Sequence, residues 1–333
     1  MEDGVSRRAV LGGAGTLGAA AIGASGTAGA NGDHEDGSGD GSKGTHGTFG
    51  AVGEYESDRF DPHSFLYDFD TGTLVGEDDE GRPIREFALD ARDVTIEIAP
   101  GVSFSAWAYN GQVPGPTLRA MEGERIRVRF TNRGRHAHTI HPHLRNLDPA
   151  MDGIPQNGPG VLDTGDSYTY EWIAQPAGCH LYHCHSLPLK EHIHRGLYGA
   201  VVIDPDPVRV QENPAEYTNH HPSQITPEFE DELVARARSR NEVDPAYQGV
   251  HEYTDHDGVN EMVMVMNGFD TNFDGANEVY AANTRAFGYG VGETNGNGEW
   301  EAGETKKPIA VDRNELQRVY LVNTIEFDPI NSF

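Results

Sequence analysis

The chain of 333 residues has little positive charge and almost no cysteine. It contains 25 lysine and arginine residues against 53 aspartate and glutamate residues, which gives a formal net charge of −28. Such a charge argues against nucleic acid and anionic membrane surfaces as partners. Two cysteines, Cys179 and Cys184, do not make a disulfide framework. Together with few lysines and 41 glycines, the acidity predicts a halophilic protein whose self-repulsion is screened by salt, with an ordinary acidic surface as the alternative.

The first 55 residues predict an export signal and a linker. Residues 6–8 (Ser-Arg-Arg) form a twin-arginine pattern, which is followed by a small, apolar stretch over residues 11–28. Residues 1–30 therefore predict a twin-arginine signal segment and an extracellular or cell-surface protein, with an uncleaved anchor as the alternative. Residues 31–55 are rich in Gly, Asp and Ser and predict a disordered acidic linker.

Short alternating segments between Gly/Pro turns predict an all-β protein built from Greek-key β-sandwiches. The clearest strands are Val94–Ile98, Ile126–Thr131, Tyr168–Trp172 and Ala200–Ile203. We expect a first domain at residues 56–206 and a polar interdomain connection at 207–255, with a helix near Pro227–Arg240. A second β domain is expected to begin at 256 and to continue through 333.

Histidines are concentrated in one part of the chain, with nine of the 16 between positions 136 and 194. The segment from Ile126 to Ile140 predicts a strand, and so does the segment that ends at Tyr182. Residues i and i+2 of a strand share a face. His138 and Cys184 are therefore expected on one face, and four imidazoles are expected on the other: His141, His143, His183 and His185.

Each face predicts its own metal chemistry. Cys184 with His138 and His192 gives the trigonal His2Cys set of a blue-copper centre, whereas four imidazoles without a thiolate suit copper that binds oxygen or another small oxidant. Zinc stays open, although a structural zinc site is usually closed and richer in cysteine. Cys179 is expected to be a small buried hydrophobe. Ordinary surface or core roles are expected for the remaining histidines of this region: His136, His180 and His194.

These residues resemble the multicopper oxidases, especially the two-domain, laccase-like type related to copper nitrite reductases. The motifs that carry the resemblance are 109–116 (YNGQVPGP), 138–143 (HTIHPH), 151–153 (MDG) and 183–199, which begins with HCH and ends with GLYG. The resemblance covers residues 85–205 well and 260–333 more loosely. It implies cupredoxin-like sandwiches, one complete and a second incomplete.

The resemblance also implies a copper type for each ligand. Type 1 copper would be bound by His138, Cys184 and His192. Type 2 copper would be bound by His141, and the type 3 pair by His143, His183 and His185. Leu197 stands where many relatives carry an axial methionine; because leucine cannot coordinate, a three-coordinate site with a raised potential is expected.

By resemblance, an external small-molecule or metal-ion reductant would be oxidised at type 1 copper, with O2 reduced at a trinuclear site. Nitrite reductase is the alternative, but that family usually has aspartate in place of His141 and a non-ligand in place of His185. Residues 319–333 resemble the lead-in to a second-domain His-x-His motif, so we expect a fragment or a truncated chain. A homotrimer is expected for the full-length protein. If the chain truly ends at Phe333, a non-catalytic blue-copper electron-transfer protein is the further alternative.

Two smaller patterns leave alternatives open. Three methionines, Met262, Met264 and Met266, alternate as in a strand and predict core packing, with a soft copper(I) track as the alternative. Two loops resemble calcium loops, one over residues 270–275 and one over residues 293–304. The second fits the spacing better because Glu304 stands at position 12.

Overall fold

The computed structural model describes residues 47–49, 62–99, 101–218, 224–242, 259–286, 289, 309, 311 and 316–325. All of them belong to one compact unit, Lys43–Phe333. The predicted signal segment and the second calcium-like loop lie outside the described residues. Within the predicted disordered linker, Gly47–Phe49 instead form a short strand, because their backbone pairs with residues 102–104.

Strands dominate the described residues. In chain order they are β1 (Gly47–Phe49), β2 (Phe69–Asp70), β3 (Thr73–Glu77), β4 (Pro83–Ala99), β5 (Val102–Tyr109), β6 (Thr117–Met121), β7 (Arg125–Asn132), β8 (His141–Pro142), β9 (Ser167–Ile173), β10 (Gly178–His183), β11 (Tyr198–Asp204), β12 (Val259–Phe269), β13 (Val279–Ala282) and β14 (Leu316–Asn323). The α-helices are α1 (Pro62–Tyr67), α2 (Leu189–His194), α3 (Pro207–Glu212) and α4 (Pro227–Glu242). Short 3₁₀ turns occupy Pro149–Met151 and Pro214–Tyr217.

The strands form three sheets. The first has the order β1-β5-β4-β7-β9, with β3 paired to β4, and the second has the order β2-β6-β11-β10-β8. Their inner faces share one apolar core, which includes Phe130 and Trp172 from the first sheet and Tyr182 and Val201 from the second. This two-sheet packing confirms the predicted β-sandwich.

Strand β7 illustrates why the sandwich forms. Its buried residues Ile126, Val128 and Phe130 alternate with arginines that face outward. One of these, Arg127, donates to Glu171 on the neighbouring strand at 2.7 Å. The alternation gives β7 one apolar face for the core and one charged face for water.

The predicted continuous strand from Ile126 to Ile140 is wrong. Strand β7 ends at Asn132, and the side-chain amide of Asn132 donates to the carbonyls of His136 and Leu162 at 2.7 and 2.8 Å. Beyond Asn132 the chain crosses to the second sheet, where His141–Pro142 form β8 beside β10. His141 and His143 are therefore brought to the same cluster by β8 and not by an extension of β7.

The third sheet, in the order β13-β12-β14, contains the strands of the expected second domain that are described. Val263 and Val265 of β12 are fully buried in a core shared with residues of β4, β5 and β11. The methionines face the other way: Met262 is buried, whereas Met264 and Met266 are half-buried. Core packing thus fits Met262 better than it fits the other two.

The helix predicted near Pro227–Arg240 is confirmed as α4. It packs on α3 through Val210, Val234 and Ala237. Its place in an interdomain connection at 207–255 stays a prediction, as do the other domain boundaries.

Candidate metal centres

The first cluster gathers one sulfur and two imidazoles. Cys184 directly follows β10, and His192 lies in α2. His138 is held in the connection after β7 by a two-way backbone pairing with Leu162, at 3.0 and 3.1 Å. The Sγ of Cys184 lies 3.2 Å from Nδ1 of His192 and 3.9 Å from Nδ1 of His138, and the two Nδ1 atoms are 3.3 Å apart.

These three donors fit a trigonal metal ion. Bonds of about 2.0–2.1 Å to nitrogen and about 2.3 Å to sulfur would place the donor atoms about 3.5–3.8 Å apart. The observed separations bracket that range, and one thiolate with two imidazoles is the donor chemistry of blue copper. His138 and Cys184 are fully buried and His192 is 3 % exposed. The cluster is therefore closed to water.

Burial keeps the donors of this cluster uncharged in the absence of a metal. It lowers the pKa of His138 to about 3 and the pKa of His192 to about 4, since a buried imidazolium is poorly solvated. Burial likewise raises the pKa of the Cys184 thiol, although hydrogen bonds from Ser186 and Thr139 act in the opposite direction. Neutral imidazoles offer lone pairs to a metal ion, and the thiol releases its proton on binding.

The second cluster holds only imidazoles. The ligand nitrogens of His141, His143 and His183 lie within 4.8 Å of one another, and Nε2 of His143 is 3.0 Å from Nε2 of His183. The ring of His185 lies 5.1 Å from the ring of His141 and 5.5 Å from that of His183. His143 is exposed, so this cluster opens to solvent.

Backbone carbonyls orient two of these imidazoles. Nδ1 of His183 donates to the carbonyl of Cys184 at 2.8 Å, and Nδ1 of His141 donates to the carbonyl of Asp152. Because a carbonyl can only accept, Nδ1 carries the hydrogen and Nε2 presents its lone pair to the cluster. Burial also lowers the pKa of His183 to about 4 and lowers the pKa values of His141 and His143.

The remaining histidines of this region belong to neither cluster. His136 is exposed and packs against Trp107 in a tilted arrangement, with the ring centres 4.4 Å apart. His180 bonds the carbonyl of Pro176 at 2.8 Å, and His194 is buried and bonds a backbone carbonyl at 3.2 Å. Cys179 is a free thiol and is half-buried, so it is less enclosed than predicted because it lies on the outer part of its core.

Sequence reasoning missed three residues beside the clusters. Trp107 packs against both imidazoles of the first cluster. The guanidinium of Arg195 lies over the ring of Trp107. Thr139 contacts both clusters, through its backbone N–H to Cys184 and its hydroxyl to the backbone N–H of His185. The position of Thr139 between His138 and His141 was a usable signal, but nothing in the sequence pattern brings Trp107 or Arg195 to the site.

A third cluster lies in the first calcium-like loop. Carboxylate oxygens of Asp270, Asp274 and Glu278 come within 4.8 Å of one another. Backbone N–H groups of the loop already donate to Asp270, from Asp274 at 3.0 Å and from Gly275 at 2.7 Å. Calcium binding stays a prediction for this loop.

Comparisons with known proteins agree with the geometry. The family model for multicopper oxidases matches residues 90–208, which include both histidine clusters. A crystal structure of a multicopper oxidase is 33 % identical, covers 83 % of this chain and 75 % of its own, and superposes with a TM-score of 0.57. The chain belongs to the multicopper oxidase family. The predicted cupredoxin-like fold is thereby confirmed. Membership of this family implies copper cofactors, and the two clusters are consistent with them.

Curated relatives of this multicopper oxidase match part of its length. Copper resistance protein A of Pseudomonas syringae pv. tomato is 32 % identical over 177 residues, which is 53 % of this chain and 28 % of that protein. A copper-containing nitrite reductase of Neisseria gonorrhoeae is 30 % identical over 121 residues, which is 35 % of this chain and 29 % of that protein. The chain thus spans less than a third of the length of these relatives. In the described part of the chain, no helix has the length and apolar character needed to cross a bilayer.

Proposed function

We propose that this chain is a copper-dependent oxidoreductase that couples one-electron oxidation of a small-molecule or metal-ion reductant to reduction of O2. The supporting observation is the shared stretch 183–185: Cys184 belongs to the first cluster, and its neighbours His183 and His185 belong to the second. Three consecutive residues therefore join the two donor sets covalently. Bound copper supplies one-electron redox chemistry at the first set and oxygen chemistry at the second.

In this proposal the two clusters bind different types of copper. The closed first cluster, His138, Cys184 and His192, holds type 1 copper away from water. In the second cluster, carbonyl contacts orient His141 and His183. His141 would hold type 2 copper, and His143, His183 and His185 would hold the type 3 pair. Export through the twin-arginine signal and activity at high salt belong to the same proposal.

The open second cluster supports a proposal about assembly. His143 is exposed, so another protein surface has room to approach the imidazoles. We propose that the second domain of a neighbouring subunit completes this site in a homotrimer, since a heterologous ring gives every subunit the same contact. Sedimentation of the full-length, copper-loaded protein tests this, and a stable, active monomer would contradict it.

Nitrite reduction is the second candidate, favoured by the similarity to the Neisseria enzyme. The imidazoles at positions 141 and 185 favour a trinuclear copper cluster over the lone type 2 copper of a nitrite reductase. Copper counting separates the candidates, with about four ions per chain for the oxidase, about two for the reductase and about one for an electron carrier. Uptake of O2 and consumption of nitrite, measured side by side with one reductant, provide the second criterion.

The type 1 assignment has a direct spectroscopic test. Copper-loaded protein should be intensely blue, because the colour comes from a copper(II)–thiolate bond and Cys184 is the thiolate donor of the first cluster. We expect Cys184→Ser to abolish the colour and Cys179→Ser, the matched control at a half-buried thiol outside both clusters, to retain it. Colour that survives loss of Cys184 would refute the type 1 site.

A further inference from the structure

A buried positive charge lies close to the first cluster. Arg195 is 3 % exposed and follows His192 by three residues, at the C-terminal end of α2. Its guanidinium lies 4.5 Å from the ring centre of Trp107 and 4.3 Å from that of Phe273. It also donates to Glu191 at 3.0 Å. Cation–π contacts on two aromatic rings hold this charge in a fixed place.

Trp107 connects this charge to the copper ligands. Its ring centre lies 4.8 Å from that of His192 and 5.5 Å from that of His138. A backbone hydrogen bond from Trp107 to the carbonyl of Arg195, at 3.0 Å, fixes the two residues relative to each other. The guanidinium is thus in contact with an indole that itself contacts both ligand imidazoles.

The charge of Arg195 is incompletely neutralised at this position. Its salt-bridge partner Glu191 has a side chain that is 37 % exposed, whereas the side chain of Arg195 is 4 % exposed. Water therefore screens the carboxylate more than the guanidinium. Burial lowers the pKa of Arg195 from its ordinary value, while Glu191 and, to a smaller extent, Asp93 raise it; arginine stays protonated in proteins.

A fixed cation in a dry environment favours the less positive of two neighbouring charge states. Copper(I) carries one positive charge less than copper(II). We propose that Arg195 is a positioning residue that acts through its charge and raises the reduction potential of copper bound by His138, Cys184 and His192. This inference rests on the proposed function, because it requires copper in the first cluster. It acts in the same direction as the non-coordinating Leu197.

Charge variants of the copper-loaded full chain test the proposal. The reduction potential is measured by following the blue band during a redox titration. Arg195→Gln should shift the copper(II)/copper(I) equilibrium toward copper(II) by tenfold or more, which is about 59 mV. Arg195→Lys keeps the charge and should retain most of the potential. Glu191→Gln removes the counter-charge and should shift the potential upward.

Arg209→Gln is the matched control, because Arg209 is half exposed and pairs with Glu122 and Asp206 instead. Its potential should equal that of the wild type. Equal shifts in Arg195→Gln and Arg195→Lys would assign the effect to packing and overturn the proposal, as would a lowered or unchanged potential in Glu191→Gln. If Arg195→Gln does not fold, Arg195→Met, which fills a similar volume without charge, takes its place and should show the same shift toward copper(II), because Glu191 also acts on His192 directly and cannot replace it. A colourless wild type would instead refute the proposed function.

Discussion

The backbone N–H of Thr139 points at the sulfur of Cys184 from 3.4 Å. The same residue accepts a hydrogen bond on Oγ1 from the backbone N–H of His185 at 2.9 Å. Thr139 is fully buried and lies one residue after His138. It therefore contacts both clusters at once, the sulfur of one and a histidine of the other.

Removing the hydroxyl of Thr139 should weaken copper binding at the second cluster. Thr139→Val keeps the shape of the side chain but takes the acceptor from His185, and groups that orient metal ligands are typically worth about 10–100-fold in affinity. Thr139→Ser retains the hydroxyl and should bind copper with nearly wild-type affinity. Competition with a copper chelator measures both, and equal affinities for Val and Ser would show that the hydroxyl has no such role.

Gly153 lies in the turn after the 3₁₀ segment 149–151, and replacing it should reduce the stability of the fold strongly. Its φ is +70°, and a Cβ there would lie 1.8 Å from the carbonyl oxygen of Ile140, a backbone atom next to His141. Gly153→Ala should therefore displace the backbone that carries His141 and lower the free energy of unfolding by about 3 kcal/mol or more.

Gly165 provides the matched control for that substitution. Its φ is +93°, but a Cβ at this position meets nothing within 4 Å. Gly165→Ala should cost only the left-handed backbone strain, about 1–2 kcal/mol. Urea unfolding of the metal-free proteins compares the two, and similar losses would mean that the clash with Ile140 is relieved at little cost.

Much of this site could be predicted from local sequence patterns. The alternation in β7 indicated a strand with one buried face, and the spacing of His183, Cys184 and His185 separated their side chains onto two faces. Both inferences use a period of two residues, which the backbone of a strand imposes directly. The grouping of His138 with Cys184 and His192 followed from the chemistry of the donors.

The rest depended on contacts between residues far apart in sequence. The strand predicted through Ile140 failed because the amide of Asn132 binds backbone carbonyls and ends β7 there. Trp107 and Arg195 are 88 positions apart (195 − 107) and meet only because β5 and the end of α2 adjoin. Phe273 reaches the same guanidinium from the loop after β12. The periodicity within one segment does not predict contacts between residues that are this far apart in sequence.

Leu197 predicts how the first cluster responds to an added ligand. It is fully buried, its N–H donates to the carbonyl of His192 at 3.2 Å, and its carbonyl accepts from Cys184 at 3.0 Å. Leu197→Met should lower the reduction potential, because a thioether adds a weak axial donor that stabilises copper(II). Leu118→Met, a core substitution of similar volume outside the cluster, should leave the potential unchanged. An unaltered potential in Leu197→Met would show that position 197 is not axial.

The buried guanidinium of Arg119 predicts a large effect on stability. It donates to Asp204 at 2.7 Å and to Glu261 at 2.6 Å, and so joins the second sheet to β12 of the third sheet. Arg119→Met would leave two buried carboxylates without this partner and should cost about 3–5 kcal/mol of unfolding free energy. Arg129→Met is the control: its side chain is 63 % exposed beside Glu86, so the loss should be about 0–1 kcal/mol. Urea unfolding at fixed salt measures both, and a loss at Arg119 no greater than at Arg129 would mean that the third sheet is held without this ion cluster.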